Sequence, residues 1–102
     1  MNRGANVELL VTYDVSTESR EGRSRLRRIA KICQGYGQRV QKSVFECIVN
    51  SVEMELLLHE LLSAMKRDED SLRIYRLKEP REQYVQIYGK RPEFDVRDPL
   101  IL

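Results

Sequence analysis

From Val7 to Val15 the chain reads VELLVTYDV, with Val7, Leu9, Val11 and Tyr13 alternating against Glu8, Leu10, Thr12 and Asp14. A period of two predicts a β-strand, and Leu10 in the second set makes both faces partly apolar, as in a central strand covered on both sides. Ser16-Thr17-Glu18-Ser19 follows, with hydroxyls suited to a turn or a helix N-cap. The period then lengthens. Leu26, Ile29, Ala30, Cys33 and Tyr36 fall on one helical stripe, and Gly35 and Gly37 offer C-terminal stops. Arg39 to Val49 (RVQKSVFECIV) is extended in character, and a bend at Lys42-Ser43 divides it into two short paired strands. Asn50-Ser51-Val52-Glu53 has the form of a capping box, and Met54, Leu57, Leu58, Leu61, Leu62 and Met65 make a second helical stripe. Lys66 and Arg67 stand at its C-terminal end, where the helix dipole favours cations. Asp68-Glu69-Asp70 reads as a loop, Ser71 to Leu77 as a strand, Pro80 as a break, and Tyr84 to Tyr88 as one more short strand.

The order β-α-β-β-α-β with a late extra strand is that of an α+β, ferredoxin-like split βαβ domain. The 102 residues make one domain, with an extended C-terminal tail from about residue 89 to 102. Leu100-Ile101-Leu102 need a surface to bury, and a partner is the natural one. A domain this small buries a modest share of its surface, which makes a dimer the expectation.

Composition adds bounds. Hydrophobic residues are 41% of the chain and charged residues 33%, as in a chain that folds and dissolves. No stretch approaches the roughly 18 apolar residues of a membrane span, and Met1 to Asn6 lack the apolar core of a secretion signal, so the cytoplasm is the expected location. Cys33 and Cys47 match no zinc motif by spacing and are expected as buried thiols. The net charge of +2 conceals an asymmetry. Arg20, Arg23, Arg25, Arg27, Arg28, Lys31, Arg39 and Lys42 stand against Glu21 alone over residues 20–42. Over residues 43–72, seven acids stand against Lys66 and Arg67. A basic face attracts phosphates by counterion release, and it also serves as an ordinary solvated surface.

No Ser-His-Asp or Cys-His constellation is present, and the lone His59 lies among acidic and apolar residues of the second helix, where a structural or merely exposed role suits it. Gly35-x-Gly37 follows a helix and lacks the strand that a phosphate-binding glycine loop requires. Asp14 stands out as a carboxylate ending an otherwise apolar strand. It suits either a metal ligand or a cap for the Ser-Thr turn that follows. One carboxylate per chain is a poor magnesium site, but a twofold axis bringing two Asp14 side chains together removes that objection.

Val11-Thr12-Tyr13-Asp14-Val15, the arginine-rich helix and Arg39-Val40-Gln41-Lys42-Ser43-Val44-Phe45-Glu46 together resemble the small CRISPR-associated nuclease of the spacer-acquisition pair, over about residues 7–90. The terminal Asp-Pro-Leu-Ile-Leu resembles the tail of a subgroup. The resemblance implies a homodimer of ferredoxin-like subunits with sheets face to face, and a magnesium-dependent endonuclease acting on RNA or DNA beside the CRISPR integrase subunit. It implies that Asp14 binds Mg2+ and that Tyr13, Arg23, Arg25, Arg39 and Phe45 belong to the catalytic set. Arg20, Arg27, Arg28, Lys31, Lys42 and Ser43 are expected to contact nucleic acid. With one shared metal and no evident general base, cleavage is expected to be slow.

Two alternatives stand beside this one. The dimer can be a non-catalytic scaffold that bridges integrase subunits and holds duplex DNA through sequence-independent phosphate contacts. The chain can also be a ferredoxin-like RNA-binding module, with bases stacked on Tyr13, Phe45, Tyr75, Tyr84 and Tyr88, although the usual aromatic spacing is absent.

Overall fold

A computed structural model describes residues 6–78 and 81–90, and its elements follow the periodicities in order. They are β1 (Val7–Asp14), α1 (Arg20–Gln34), β2 (Gly37–Gln41), β3 (Val44–Val49), α2 (Ser51–Ala64), β4 (Ser71–Leu77) and a single turn, α3 (Arg81–Tyr84). The four strands form one antiparallel sheet in the order β2-β3-β1-β4. The two long helices connect β1 to β2 and β3 to β4, which is the split βαβ arrangement expected. The predicted tail, with its Leu100-Ile101-Leu102 end, lies outside the described residues apart from Gly89 and Lys90.

Register fixes which side chains share a face. Val11 pairs with Phe45 on one side and Ile74 on the other, while Leu10 pairs with Glu46 and Tyr75. Leu9, Val11 and Tyr13 therefore join Phe45, Cys47 and Val49 on the face packed against Leu26, Ile29, Ala30 and Cys33 of α1 and Leu57 and Leu61 of α2. Burying these side chains is the main favourable term holding the layers together. The opposite face carries Glu8, Leu10, Thr12 and Asp14, which are half-buried or exposed, and no helix covers it among the described residues. In the single chain β1 is central within the sheet, as its composition predicts, but it is covered on one side.

Local chemistry explains the ends. The Ser19 hydroxyl caps α1 by accepting from the Gly22 N–H at 3.0 Å. Asn50 and Glu53 form the reciprocal capping box of α2 at 2.8 and 2.9 Å. Gly35 closes α1 in a right-handed conformation. Gly37 opens β2 instead of ending the helix, because a Cβ there would collide with the Glu46 carbonyl and the Cys47 sulfur.

Three expectations need correction. Tyr84 to Tyr88 is not a strand: Tyr84 ends α3, and residues 85–90 pair with no strand of the sheet. Ile87 and Tyr88 are 68% and 82% exposed. The apolar alternation was real, but a strand also needs a backbone ladder, and in the single chain neither sheet edge supplies one to this segment. Leu58 is 39% exposed although it lies in the predicted stripe. It sits about 100° around the helix from Leu57, and a helix on one sheet face cannot bury consecutive leucines equally. Lys66 and Arg67 lie beyond α2, which ends at Ala64 with Met65 already extended, so Lys66 instead pairs with Glu69 at 2.8 Å.

Cys33 and Cys47 are free, buried thiols, as expected. Burial pushes the Cys33 thiol up to about 12, with neighbouring Cys47 adding to the rise, and burial pushes Cys47 up to about 11. Thiolate is the reactive form, so both are expected to resist a soluble disulfide reagent at pH ~8 in the native protein and to react fully once it is unfolded. Rapid titration of either thiol before unfolding would contradict this packing.

Candidate nuclease site

Asp14 ends β1 on the open face of the sheet, directly opposite Ser71 of β4, and its side chain is exposed. Among the described residues no hydrogen bond or ion pair engages its carboxylate. The alternative role of capping the Ser-Thr turn does not fall to Asp14 either, since the Ser16 N–H donates to Asp70. Several segments converge on this end of the sheet. The Tyr13 N–H donates to the Ser43 carbonyl at 3.2 Å, which brings the Lys42-Ser43 turn alongside the end of β1. The Arg23 guanidinium donates to the Thr17 carbonyl at 3.1 Å and is held against the loop leading out of Asp14. Asp14, Arg23 and the Lys42-Ser43 turn thus come from three different segments of chain: β1, α1 and the β2–β3 connection.

Other residues anticipated for the site lie elsewhere. Tyr13, next to Asp14 in sequence, points to the opposite face by strand alternation. Its ring is buried and stacked on Phe45, with centroids 6.3 Å apart. The Arg39 guanidinium carbon lies 5.2 Å from the centroid of the Phe45 ring, a cation–π contact at the β2 edge. Burial raises the pKa of the Tyr13 hydroxyl, and nearby Arg39 works in the opposite direction. Tyr13, Arg39 and Phe45 thus form a packed cluster beneath the sheet end, and Phe45 is wholly inaccessible. This placement also removes Tyr13 and Phe45 from any base-stacking platform. Arg20, Arg27, Arg28 and Lys31 are exposed along α1 and form a basic strip that begins near Asp14 and runs away from it.

Arg25 is tied down. Its Nε donates to Asp70 Oδ2 at 2.8 Å, and its Nη2 donates to Asp70 Oδ1 at 3.2 Å and Glu69 Oε1 at 3.1 Å. Asp70, in a segment that reads only as an acidic loop, is the one buried polar or charged residue among those described. Its carboxylate also accepts from the Lys66 N–H at 2.8 Å and the Ser16 N–H at 3.4 Å. Burial pushes its pKa up, but the bond from Arg25, the two backbone N–H groups and the Arg25 charge outweigh that and hold it below the usual carboxylate range. Its contribution to stability is fully present above the ordinary carboxylate value of about 3.9 and is lost as pH falls through the depressed one.

Arg73 was also missed. It lies on the Asp14 face, opposite Thr12, two pairs along the ladder from Asp14, with its guanidinium on the Tyr75 hydroxyl at 3.1 Å. The alternation in SLRIYRL carries that information once the pairing with β1 is known.

Comparison with known proteins identifies the family and the fold. The family model described as CRISPR associated protein Cas2 matches residues 7–85. A CRISPR-associated endoribonuclease Cas2 of Moorella thermoacetica is 53% identical over 94 residues, covering 92% of this chain and 98% of the relative. A CRISPR-associated endonuclease Cas2 of Halalkalibacterium halodurans is 53% identical over 93 residues, covering 91% and 97%. The crystal structure of Streptococcus pyogenes Cas2 at pH 6.5 superposes with a TM-score of 0.73 at 46% identity, covering 80% of this chain and 99% of that one.

Proposed function

Because the chain belongs to the CRISPR-associated Cas2 family, we propose that it is a homodimeric, magnesium-dependent endonuclease whose site is built around Asp14 from each of two protomers. Supporting this is the isolation of the Asp14 carboxylate: exposed, unbonded among the described residues, and placed on the sheet face that no helix covers.

The donor set bears on the metal. Among the described residues no group of three or more His, Cys, Asp or Glu could hold an ion, so these residues form no closed cage. Magnesium is ordinarily held by one or two carboxylates, with water and substrate phosphate completing its six positions, and a lone strand-end carboxylate fits such an open site. Two copies stacked by their open faces about a twofold axis along the strands would bring a second Asp14 to the same end. When bound, the ion would neutralise phosphate charge and polarise the phosphoryl group.

The remaining roles fall to side chains of this protein. Arg23, held near Asp14 by the Thr17 carbonyl, is placed to meet the phosphate and the charge that grows on it. Lys42 and the Ser43 hydroxyl extend the same anion-binding end. No side chain of the site is assigned as general base, so the proton would pass to solvent, and slow turnover is expected. The test is cleavage of single-stranded RNA and of duplex DNA in magnesium against excess EDTA. Activity is expected only with the metal, and undiminished cutting in EDTA would overturn the assignment.

The exposed basic strip of Arg20, Arg27, Arg28 and Lys31 favours a second, compatible role, in which the dimer lies beside the CRISPR integrase subunit and supports duplex DNA without reading its sequence. Spacer acquisition by an Asp14→Ala protein separates the two roles. Retained acquisition assigns the essential role to the scaffold, and lost acquisition with an intact complex assigns it to cleavage.

A further inference from the structure

We propose that Arg25 and Asp70 form a positioning clasp for Asp14, and that Arg25 acts through this clasp and makes no contact with nucleic acid; this rests on the Asp14 site described above. By composition Arg25 is one arginine of a basic helix, and the family resemblance groups it with Arg23 as a catalytic residue. In three dimensions it differs from the other arginines of that helix. Its side chain is only 15% exposed, and that of Asp70 is completely buried. The guanidinium faces two carboxylates, Asp70 and Glu69, and Glu69 is shared with Lys66. The four charges of Arg25, Lys66, Glu69 and Asp70 cancel, leaving no positive field for a phosphate. The donors on one edge of the guanidinium are already committed to oxygen.

What the clasp holds is the backbone on both sides of Asp14. Asp70 accepts from the N–H of Ser16, two residues beyond Asp14 in the exit loop. Asp70 also immediately precedes Ser71, the residue paired with Asp14 across the β1–β4 ladder. Through Arg25 both segments are fastened to α1, and through the Lys66 N–H to the chain leaving α2. An exposed carboxylate at a strand end has little else to keep it in place, and loss of position near a reacting phosphate is expensive in rate. Loosening the clasp should therefore slow cleavage without weakening binding.

The test compares Arg25→Gln, Asp70→Asn, the double variant and, as control, Arg23→Gln, each verified as folded by circular dichroism. Affinity for a short DNA duplex is measured across salt concentrations, and kcat and KM are measured on whichever nucleic acid the wild type cuts. Loss of one phosphate contact lowers the salt slope by about one. We expect that loss for Arg23→Gln and an unchanged slope for Arg25→Gln. Arg25→Gln, which leaves the buried Asp70 carboxylate without its guanidinium partner, should lower kcat about tenfold at constant KM, and the double variant, which leaves no unpaired buried charge, should recover part of it. A slope lowered by about one in Arg25→Gln, or no recovery in the double variant, overturns the proposal. If a single variant does not fold, the slope and kcat of the double variant decide. If the wild type cuts nothing, the nuclease reading fails, while the salt slopes still judge whether Arg25 touches the polyanion.

Discussion

Replacing Asp14 by alanine is expected to lower metal-dependent cleavage at least about 100-fold, equivalent to roughly 2.7 kcal/mol of transition-state stabilisation, while leaving stability within about 0.5 kcal/mol of the parent. The two halves of this expectation have separate physical grounds. Asp14 is the acid that ends β1 on the open face, so in the proposed site its removal would take away the protein's hold on the cation that carries the phosphate's charge. It also bonds nothing within the described fold, so its removal breaks no structural contact. Activity at substrate saturation and thermal unfolding of the same preparation measure the two together. A variant that cuts as fast as the parent would remove Asp14 from the chemistry, and one that unfolds readily would show that its carboxylate has a structural partner.

A comparable free-energy change, this time in stability, is expected at Gly22. This glycine is buried in the first turn of α1, and a Cβ added to it would overlap the backbone carbonyl oxygen of Ser16. Backbone cannot step aside as the end of a flexible side chain can, so the exit loop of Asp14 would have to move. That movement would pull Ser16 away from Asp70 and Ser19 away from its capping position over the Gly22 N–H. Gly22→Ala would ordinarily gain a few tenths of a kcal/mol or more through helix propensity. Here overpacking is the larger effect, and a net loss of about 3 kcal/mol is expected. For a domain of this length that lowers Tm by roughly 12 °C or more. Calorimetry of Gly22→Ala beside Gly35→Ala checks it, since a Cβ at Gly35 meets only the Ile32 carbonyl at 3.3 Å and should be tolerated far better. Equal stabilities would mean that the loop does not press on α1.

The fold was largely legible because its signals are local and repeated. Two alternating strands, two amphipathic stripes, a capping box and a bend at Lys42-Ser43 each left a mark in consecutive residues, and each is where the pattern put it. The extra strand at Tyr84 to Tyr88 failed because strand formation depends on a backbone partner from any part of the chain, and the alternation of a segment says nothing of its neighbour. The site was only half legible. Asp14 announced itself as a charge that breaks an apolar run. Tyr13 and Phe45 belong to a motif in sequence but to the core in space, because a strand sends adjacent side chains to opposite faces. Gly22, Asp70 and Arg73 left no mark: a glycine in a helix, an acid in an acidic loop and a basic residue in a basic chain look ordinary until the register of β4 against β1 is known. Their roles depend on contacts across 6, 54 and 61 residues of chain, from Gly22 to Ser16, Asp70 to Ser16 and Arg73 to Thr12.

The central claim is that one site uses Asp14 from two chains. It is tested most directly by unfolding wild-type and Asp14→Ala protomers together, refolding them at varied proportions so that they pair at random, and measuring the initial rate of cleavage in magnesium. If both carboxylates are needed, activity falls with the square of the wild-type fraction, to about a quarter at equal proportions. Activity that falls in simple proportion to the wild-type fraction would show that each chain cuts with its own Asp14, contradicting the shared site.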